Sequence, residues 1–216
     1  MRKRTAGRLT PRDWAEAALE ALARGGVEAV AVEPIAAALG ATKGSFYWHF
    51  ANRESLVEAA LDLWEQSRTD DVIRQLEGIP DPAERLRVLI GTGIELGPTD
   101  RVEIALLANP GYPPALRRMR RVAQRRIGYL ADQLQALGWT PAEARDRAVL
   151  IAYLYVGNMQ LAHLAPRLVD ARAHRRQAEI VYDALIAAPR DEHAAARRSG
   201  ARPTGARARS ARSRRA

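Results

Sequence analysis

Gly40-Ala41-Thr42-Lys43-Gly44-Ser45-Phe46-Tyr47-Trp48-His49-Phe50 reads as a tight turn followed by one short helix of about eight residues. Gly40 ends the apolar helix before it, because a residue without Cβ enters the left-handed region at little cost. Thr42 then caps the next helix with its hydroxyl. Phe46 and Phe50 are four apart and share one side. Lys43, Tyr47 and Trp48 lie on or near the other side, with Ser45 and His49 at the edges. A face that is basic, aromatic and rich in hydrogen-bond donors suits base edges and the phosphates beside them.

The flanking residues supply the rest of a small head. Thr10-Pro11-Arg12-Asp13 is a helix start: a capping hydroxyl, proline in the first turn and an acid three residues on. Ala15, Ala18, Leu19 and Leu22 form the apolar stripe of that helix, and Gly25-Gly26 stops it. A second helix is expected over residues 32–39, with Pro34 tolerated in its first turn. Asn52 caps a fourth, which carries Leu56, Ala60, Leu63 and Trp64 and continues to about residue 76. Phe46, Phe50, Ile35, Leu39 and Leu19 are read as core.

Ile35-Ala36, Leu39-Gly40, Thr42, Gly44-Ser45-Phe46-Tyr47, His49-Phe50, Arg53 and Leu56 stand in the order and spacing of a known motif. The chain resembles the helix-turn-helix domain of tetracycline-repressor-type (TetR/AcrR) regulators over residues 8–68, with the motif itself at about 31–50. One departure is at Ala31, where the family often has threonine; Glu33, just after it, would repel phosphate if it faced DNA. The resemblance implies an all-α fold: a three-helix DNA-binding head joined by a long helix to a C-terminal helical domain for ligand binding and dimerisation. It also implies a phosphate-binding role for Arg53.

Beyond Gly78-Ile79-Pro80-Asp81-Pro82 the pattern is helical again. Helices are expected over residues 82–96, 99–108 and 115–137. Thr140-Pro141-Ala142-Glu143 is a second capping box, opening a helix to about residue 164, and a last helix covers 170–187. No alternating strand pattern and no repeat is visible. The organisation is thus a basic arm (1–9), the head (8–68), a helical ligand-binding and dimerisation domain (69–188) and a basic tail (189–216). The tail is built of Ala, Arg, Ser, Gly and Pro without an apolar face, so disorder is expected. It reads either as a solvated end or as a non-specific DNA tether.

The formal net charge is +9, and its placement is informative. Arm and tail together hold more than that excess, which leaves the folded middle slightly acidic. Such a balance favours phosphate attraction through the ends rather than a uniformly basic globule. There are no cysteines, which excludes disulfides and thiolate metal sites. The longest apolar run is shorter than the roughly 20 residues that span a bilayer, and no secretory pattern opens the chain, so a soluble cytoplasmic protein with no membrane partner is expected. No metal-ligand spacing, phosphate loop or nucleophile elbow occurs; neither a cofactor nor an enzymatic activity is expected.

The DNA-binding residues expected are Thr42, Lys43, Gly44, Ser45, Tyr47, Trp48, His49 and Arg53. Lys43 is the first choice as base reader, with a phosphate contact or a solvated lysine as alternatives. Tyr47 reads as a phosphate binder or a thymine-methyl contact, and Trp48 as a DNA contact or as packing between the head and the fourth helix. In the body, Trp64, Glu95, Glu103, Tyr112, Tyr153, Asn158 and His163 are candidates for a ligand cavity. Gly157, amid Tyr153, Leu154, Leu161 and Leu164, suggests close helix approach. The last two helices would pair with their copies in a homodimer, or simply close the monomer core. The function expected is a transcriptional regulator: a homodimeric repressor released from a palindromic double-stranded operator by an unidentified small molecule. The alternative is an inducer-independent DNA-organising protein that uses its basic ends.

Overall fold

The computed structural model describes residues 9–96, 100–108, 111–165 and 171–187. The basic arm up to residue 8 and the tail from residue 188 lie outside them. Among the described residues the regular structure is helical: α1 (Pro11–Gly25), α2 (Val32–Leu39), α3 (Lys43–Phe46), α4 (Arg53–Glu65), α5 (Asp71–Glu77), α6 (Pro82–Leu96), α7 (Arg101–Ala108), α8 (Pro113–Ala136), α9 (Pro141–Leu164) and α10 (His174–Leu185).

The helix starts follow from side-chain caps. The Thr10 backbone N–H donates to Asp13 Oδ2 at 2.8 Å, and the Asp13 N–H returns a bond to Thr10 Oγ1 at 3.3 Å. Thr140 and Glu143 repeat this reciprocal pairing at α9. Asn52 accepts from the Ser55 N–H at 2.8 Å and opens α4. Each such cap satisfies backbone donors that the first turn leaves free.

The recognition stretch differs from expectation in length. The α-helix covers only Lys43–Phe46. Two further bonds, from the His49 and Phe50 N–H groups to the Phe46 carbonyl at 2.9 and 3.0 Å, tighten the chain into a turn. Aromatic and histidine side chains are indifferent helix formers. Phe50 must also dive into the core just before Asn52 takes the extended backbone of a cap.

Two apolar clusters hold the chain. The first joins Trp14, Ala18 and Leu22 of α1 to Ile35, Phe46, Leu56, Val57 and Leu61. It does not stop at the head: Val102 and Leu106 of α7 and Ala115 and Val122 of α8 belong to it as well. The second packs Leu86 and Ile90 of α6 against Leu130 and Leu134 of α8, Ala144, Ala148 and Ile151 of α9, and Ile186. Helix α8 contributes to both and is the strut between them. Burial of fully enclosed side chains such as Leu22, Leu61 and Leu134 stabilises by about 2 kcal/mol each.

Between α4 and α5 the chain stays helical, but residues Gln66–Asp70 form a π-helical turn. The connector is therefore one rod over residues 53–77 with a widened turn in its middle. No proline or glycine marks that turn. Such π turns carry a slightly misfitted ladder and recur at functional sites.

Candidate nucleic-acid interface and body cavity

In the head, Phe46 is fully buried, edge-on to Trp14 at 5.5 Å and stacked on Phe50 at 5.6 Å between ring centroids. These contacts fix the roll of α3 and turn the opposite side outward. Tyr47 is 56% and Trp48 82% exposed, so packing of Trp48 inside the protein is not what the fold uses. Thr42 accepts from the Ser45 N–H at 3.2 Å, and the Ser45 hydroxyl donates to the Thr42 carbonyl at 2.8 Å. A Cβ added at Gly44 would meet only Thr42 Oγ1, at 3.7 Å. No neighbour inside the protein requires glycine there.

Two basic residues are already engaged. Lys43 Nζ lies 2.6 Å from Glu33 Oε1, both side chains being largely exposed. The pair lowers the Glu33 pKa and raises that of Lys43. Arg53 donates from Nε to the Val30 carbonyl and from Nη2 to the Val27 carbonyl, both at 2.6 Å. The expected phosphate clamp is not the arrangement found. Most of the Arg53 fork staples α4 to the turn before α2, and its Nη1 lies 3.7 Å from Glu54.

Along the connector, acids of α4 meet arginines of α8. Arg118 donates to Glu58 at 3.1 Å, to Glu65 at 2.7 Å and to Asp62. Arg121 forks onto Glu65 at 3.0 and 2.6 Å, and Arg125 pairs with Asp70 at 3.1 Å. Hydrogen bonding from Arg121, assisted by Arg118, holds the Glu65 carboxyl below its ordinary range against the opposing effect of burial. Charges at spacings of three and four on both helices make this a ladder rather than a single bridge.

Further along, Arg126 organises a buried network. Its Nη1 donates to both oxygens of Glu103 at 2.9 and 3.0 Å, its Nε to the Thr69 hydroxyl at 3.1 Å, and its Nη2 to the Arg68 carbonyl at 3.2 Å. The Tyr155 hydroxyl donates to Glu103 at 3.2 Å. Asp100 accepts from the Glu103 N–H at 3.0 Å and from the Trp64 indole at 3.4 Å, and pairs with Arg68 at 3.4 Å. Burial works against the Arg126 charge, but Glu103, Tyr155 and Asp100 outweigh it and hold the guanidinium above its ordinary pKa. Burial, then the Glu103 charge, pushes the Tyr155 hydroxyl up, so it stays a neutral donor.

This network closes one end of a cavity of about 320 Å³ in the body. The π turn, α5, α6, α8 and α9 surround it. Val72, Ile73, Leu89, Ile90, Leu130 and Ile151 supply apolar wall; Thr69, Asp100, Arg126 and Tyr155 supply the polar end. An apolar pocket with a few converging polar groups is the usual form of a small-molecule site.

Residues 15–60 match the family model described as bacterial regulatory proteins, tetR family. That match covers the helical head, and the body lies outside it. No curated protein matches it. Among solved structures, a transcriptional regulator from Saccharomonospora viridis in complex with choline is 20% identical, with a TM-score of 0.68 over 80% of this chain and 95% of that one. A TetR-family regulator from Agrobacterium tumefaciens is 20% identical, with a TM-score of 0.64 over 82% and 100%. The regulator FadR from Bacillus subtilis, in complex with stearoyl-CoA, is 14% identical, with a TM-score of 0.60 over 83% and 99%. At these identities the likeness is one of fold.

Within this fold, the residues expected at a ligand site are scattered. Trp64 and Glu103 are buried in the network at the cavity end. Tyr112 packs against the head core instead. Asn158 donates to the Ile94 carbonyl at 3.0 Å. Glu95 and His163 are exposed, as is Tyr153 at 68%. None of the seven is among the residues that wall the cavity. Sequence reading missed Thr69, Asp100, Arg126, Tyr129 and Tyr155. Arg126 stands among six arginines of α8, and only the fold distinguishes the one that turns inward.

An exposed apolar stripe runs along α9: Leu150, Tyr153, Leu154, Leu161 and Leu164, with Ile180 of α10 also exposed. Gly157 lies in the same stripe, and a Cβ there would meet nothing within 4 Å. Among the described residues, no helix is long and apolar enough to cross a membrane.

Proposed function

We propose that this tetR-family regulator is a homodimeric repressor of a near-palindromic operator, released by a small molecule that enters the body cavity. The observation that carries this reading is the Arg126 network, which touches the cavity, α7, α9 and the connector helix at once. A ligand that changes the packing at Thr69 and Arg68 acts on the same rod that carries Trp64 and the head. Release then requires only that ligand favour the DNA-incompetent state; a tenfold preference is about 1.4 kcal/mol.

In this reading Lys43 enters the major groove as base reader, and Gly44 lets the backbone approach closely. Thr42, Ser45, Tyr47, Trp48 and His49 contact phosphates and sugar edges. Arg53 positions α4 rather than binding phosphate. Dimerisation uses the exposed stripe of α9 together with α10, where Gly157 permits close approach. The solved complexes with choline and stearoyl-CoA, and one of AibR with isovaleryl-CoA and operator DNA, are consistent with ligand control in this fold. The domain boundaries at about residues 68 and 188 belong to the same proposal.

The test is capture of host genomic fragments by the purified full chain, followed by footprinting. The expected footprint has two half-sites about 34–36 Å apart and yields a duplex bound far more tightly than random sequence. Equal affinity for random duplex would instead support the DNA-organising alternative.

A further inference from the structure

A carboxylate stands on the outward face of the head, where donors were expected. Glu33, in the first turn of α2, places Oε1 2.6 Å from Nζ of Lys43, at the start of α3. Both side chains are largely exposed, 69% and 55%. Burial of Ile35, Ala36 and Phe46 rolls the two helices so that this pair faces outward. The Lys43 charge also feels Tyr47, so the pair adjoins the exposed aromatic residues. An exposed ion pair contributes little to stability; its place on this face is what matters.

Where Lys43 enters the major groove, Glu33 enters beside it. A carboxylate among phosphates is repelled unless a donor meets it. Base edges offer such donors at cytosine N4 and adenine N6. The neighbouring lysine decides between them. An ammonium only donates and a carboxylate only accepts. Side by side they match an edge that runs acceptor, acceptor, donor. A G·C pair presents that order: guanine N7 and O6, then cytosine N4. An A·T pair runs acceptor, donor, acceptor, which sets the adenine amino group against the ammonium.

We infer that Glu33 is a second base reader. Lys43 turns from Glu33 to guanine N7 and O6, and the cytosine N4 amino group takes its place on the carboxylate. The two residues thus select one G·C pair in each half-site, with guanine on the Lys43 side. The inference rests on the reading of Lys43 as base reader and adds its partner residue and the base pair selected. On other sequences the Glu33–Lys43 contact stays closed. Lys43 is then withheld from phosphates and the carboxylate repels them, so the same pair disfavours random duplex.

The experiment uses the full chain and the duplex captured and footprinted above. Every base pair of a half-site is replaced in turn, which identifies the position where Lys43→Ala relaxes base preference. A G·C pair is expected there. At that position 2-pyrimidinone replaces cytosine and removes the N4 amino group, and 7-deazaguanine replaces guanine and removes N7. Fluorescence anisotropy gives affinities relative to the unmodified duplex, so a general change in affinity cancels. Each analogue is expected to weaken wild-type binding about tenfold. Glu33→Ala should bind the cytosine and 2-pyrimidinone duplexes alike yet keep the 7-deazaguanine loss, with a wild-type circular-dichroism spectrum. An equal 2-pyrimidinone loss in wild type and Glu33→Ala would show that Glu33 reads no base and leave Lys43 a reader. A wild type insensitive to 2-pyrimidinone would show the same. An A·T pair at the position that Lys43 reads overturns the G·C assignment. If Lys43→Ala relaxes no position, the reading of Lys43 as base reader fails, and the assignment of Glu33 fails with it.

Discussion

The Nε of Arg126 donates to the Thr69 hydroxyl at 3.1 Å, which ties the polar end of the cavity to the π turn of the connector. Thr69 is almost fully buried, so water does not substitute freely for the contact. Thr69→Val keeps the shape and removes the acceptor. The variant is expected to lose about 1 kcal/mol in urea unfolding. It should also show a smaller ligand-induced change in duplex affinity than the wild type. An unchanged ligand effect would show that coupling bypasses this bond.

Lys43→Ala should relax base preference at one position of each half-site, at a cost of about 1–3 kcal/mol for the preferred base. Affinities measured across single-base variants of the captured duplex test this. A uniform loss at every position would make Lys43 a phosphate contact.

Glu33 sits 2.6 Å from Lys43 and has to yield that lysine before it can meet DNA. Glu33→Gln removes a negative charge from the approach surface. Binding to random duplex should tighten, and the slope of log affinity against log salt should steepen by about one. A slope equal to that of the wild type would show that Glu33 remains paired away from the DNA.

The Glu65 carboxyl, held low chiefly by Arg121, sets a pH dependence. Its folded pKa lies below its unfolded one, so the folded state binds the proton less readily. The stabilisation is full above the unfolded value of about 4.3 and is lost as pH falls through the depressed folded value. The stability difference between wild type and Glu65→Gln should therefore be constant near neutrality and shrink as pH drops below about 5. Urea unfolding across that range measures it; a difference that grows on acidification would contradict the ladder.

Leu161 is 53% exposed on the α9 stripe. Leu161→Asp should leave each subunit folded and place a charge in the apolar contact twice per dimer. Sedimentation equilibrium should report a monomer with wild-type circular dichroism and weakened operator binding. A dimer of unchanged stability would move the interface elsewhere.

Local chemistry made the elements of the head legible. The caps at Thr10 and Asn52, the left-handed Gly40 at φ 66°, and the paired Phe46 and Phe50 all act over a few residues, as does the Thr140 cap of α9 in the body, and local rules are legible in the chain. The all-α class and the break after Gly78 were legible for the same reason. The roles of long polar side chains were not. Lys43 meets Glu33 across 10 residues, Arg126 meets Glu103 across 23, and Arg118 reaches Glu65 across 53. Which arginine of α8 turns inward depends on how that helix rolls against α4 and α7, and helix roll is fixed by apolar packing on the far side. The π turn is equally silent in sequence, because no residue type marks it and the contacts of Thr69 and Arg68 hold it. The chain's own order thus determined that a helix-turn-helix head exists and where its outward face lies. Only the packed helices decided that Arg53 is a staple, that the cavity lies beside the π turn, and that its charges are already matched.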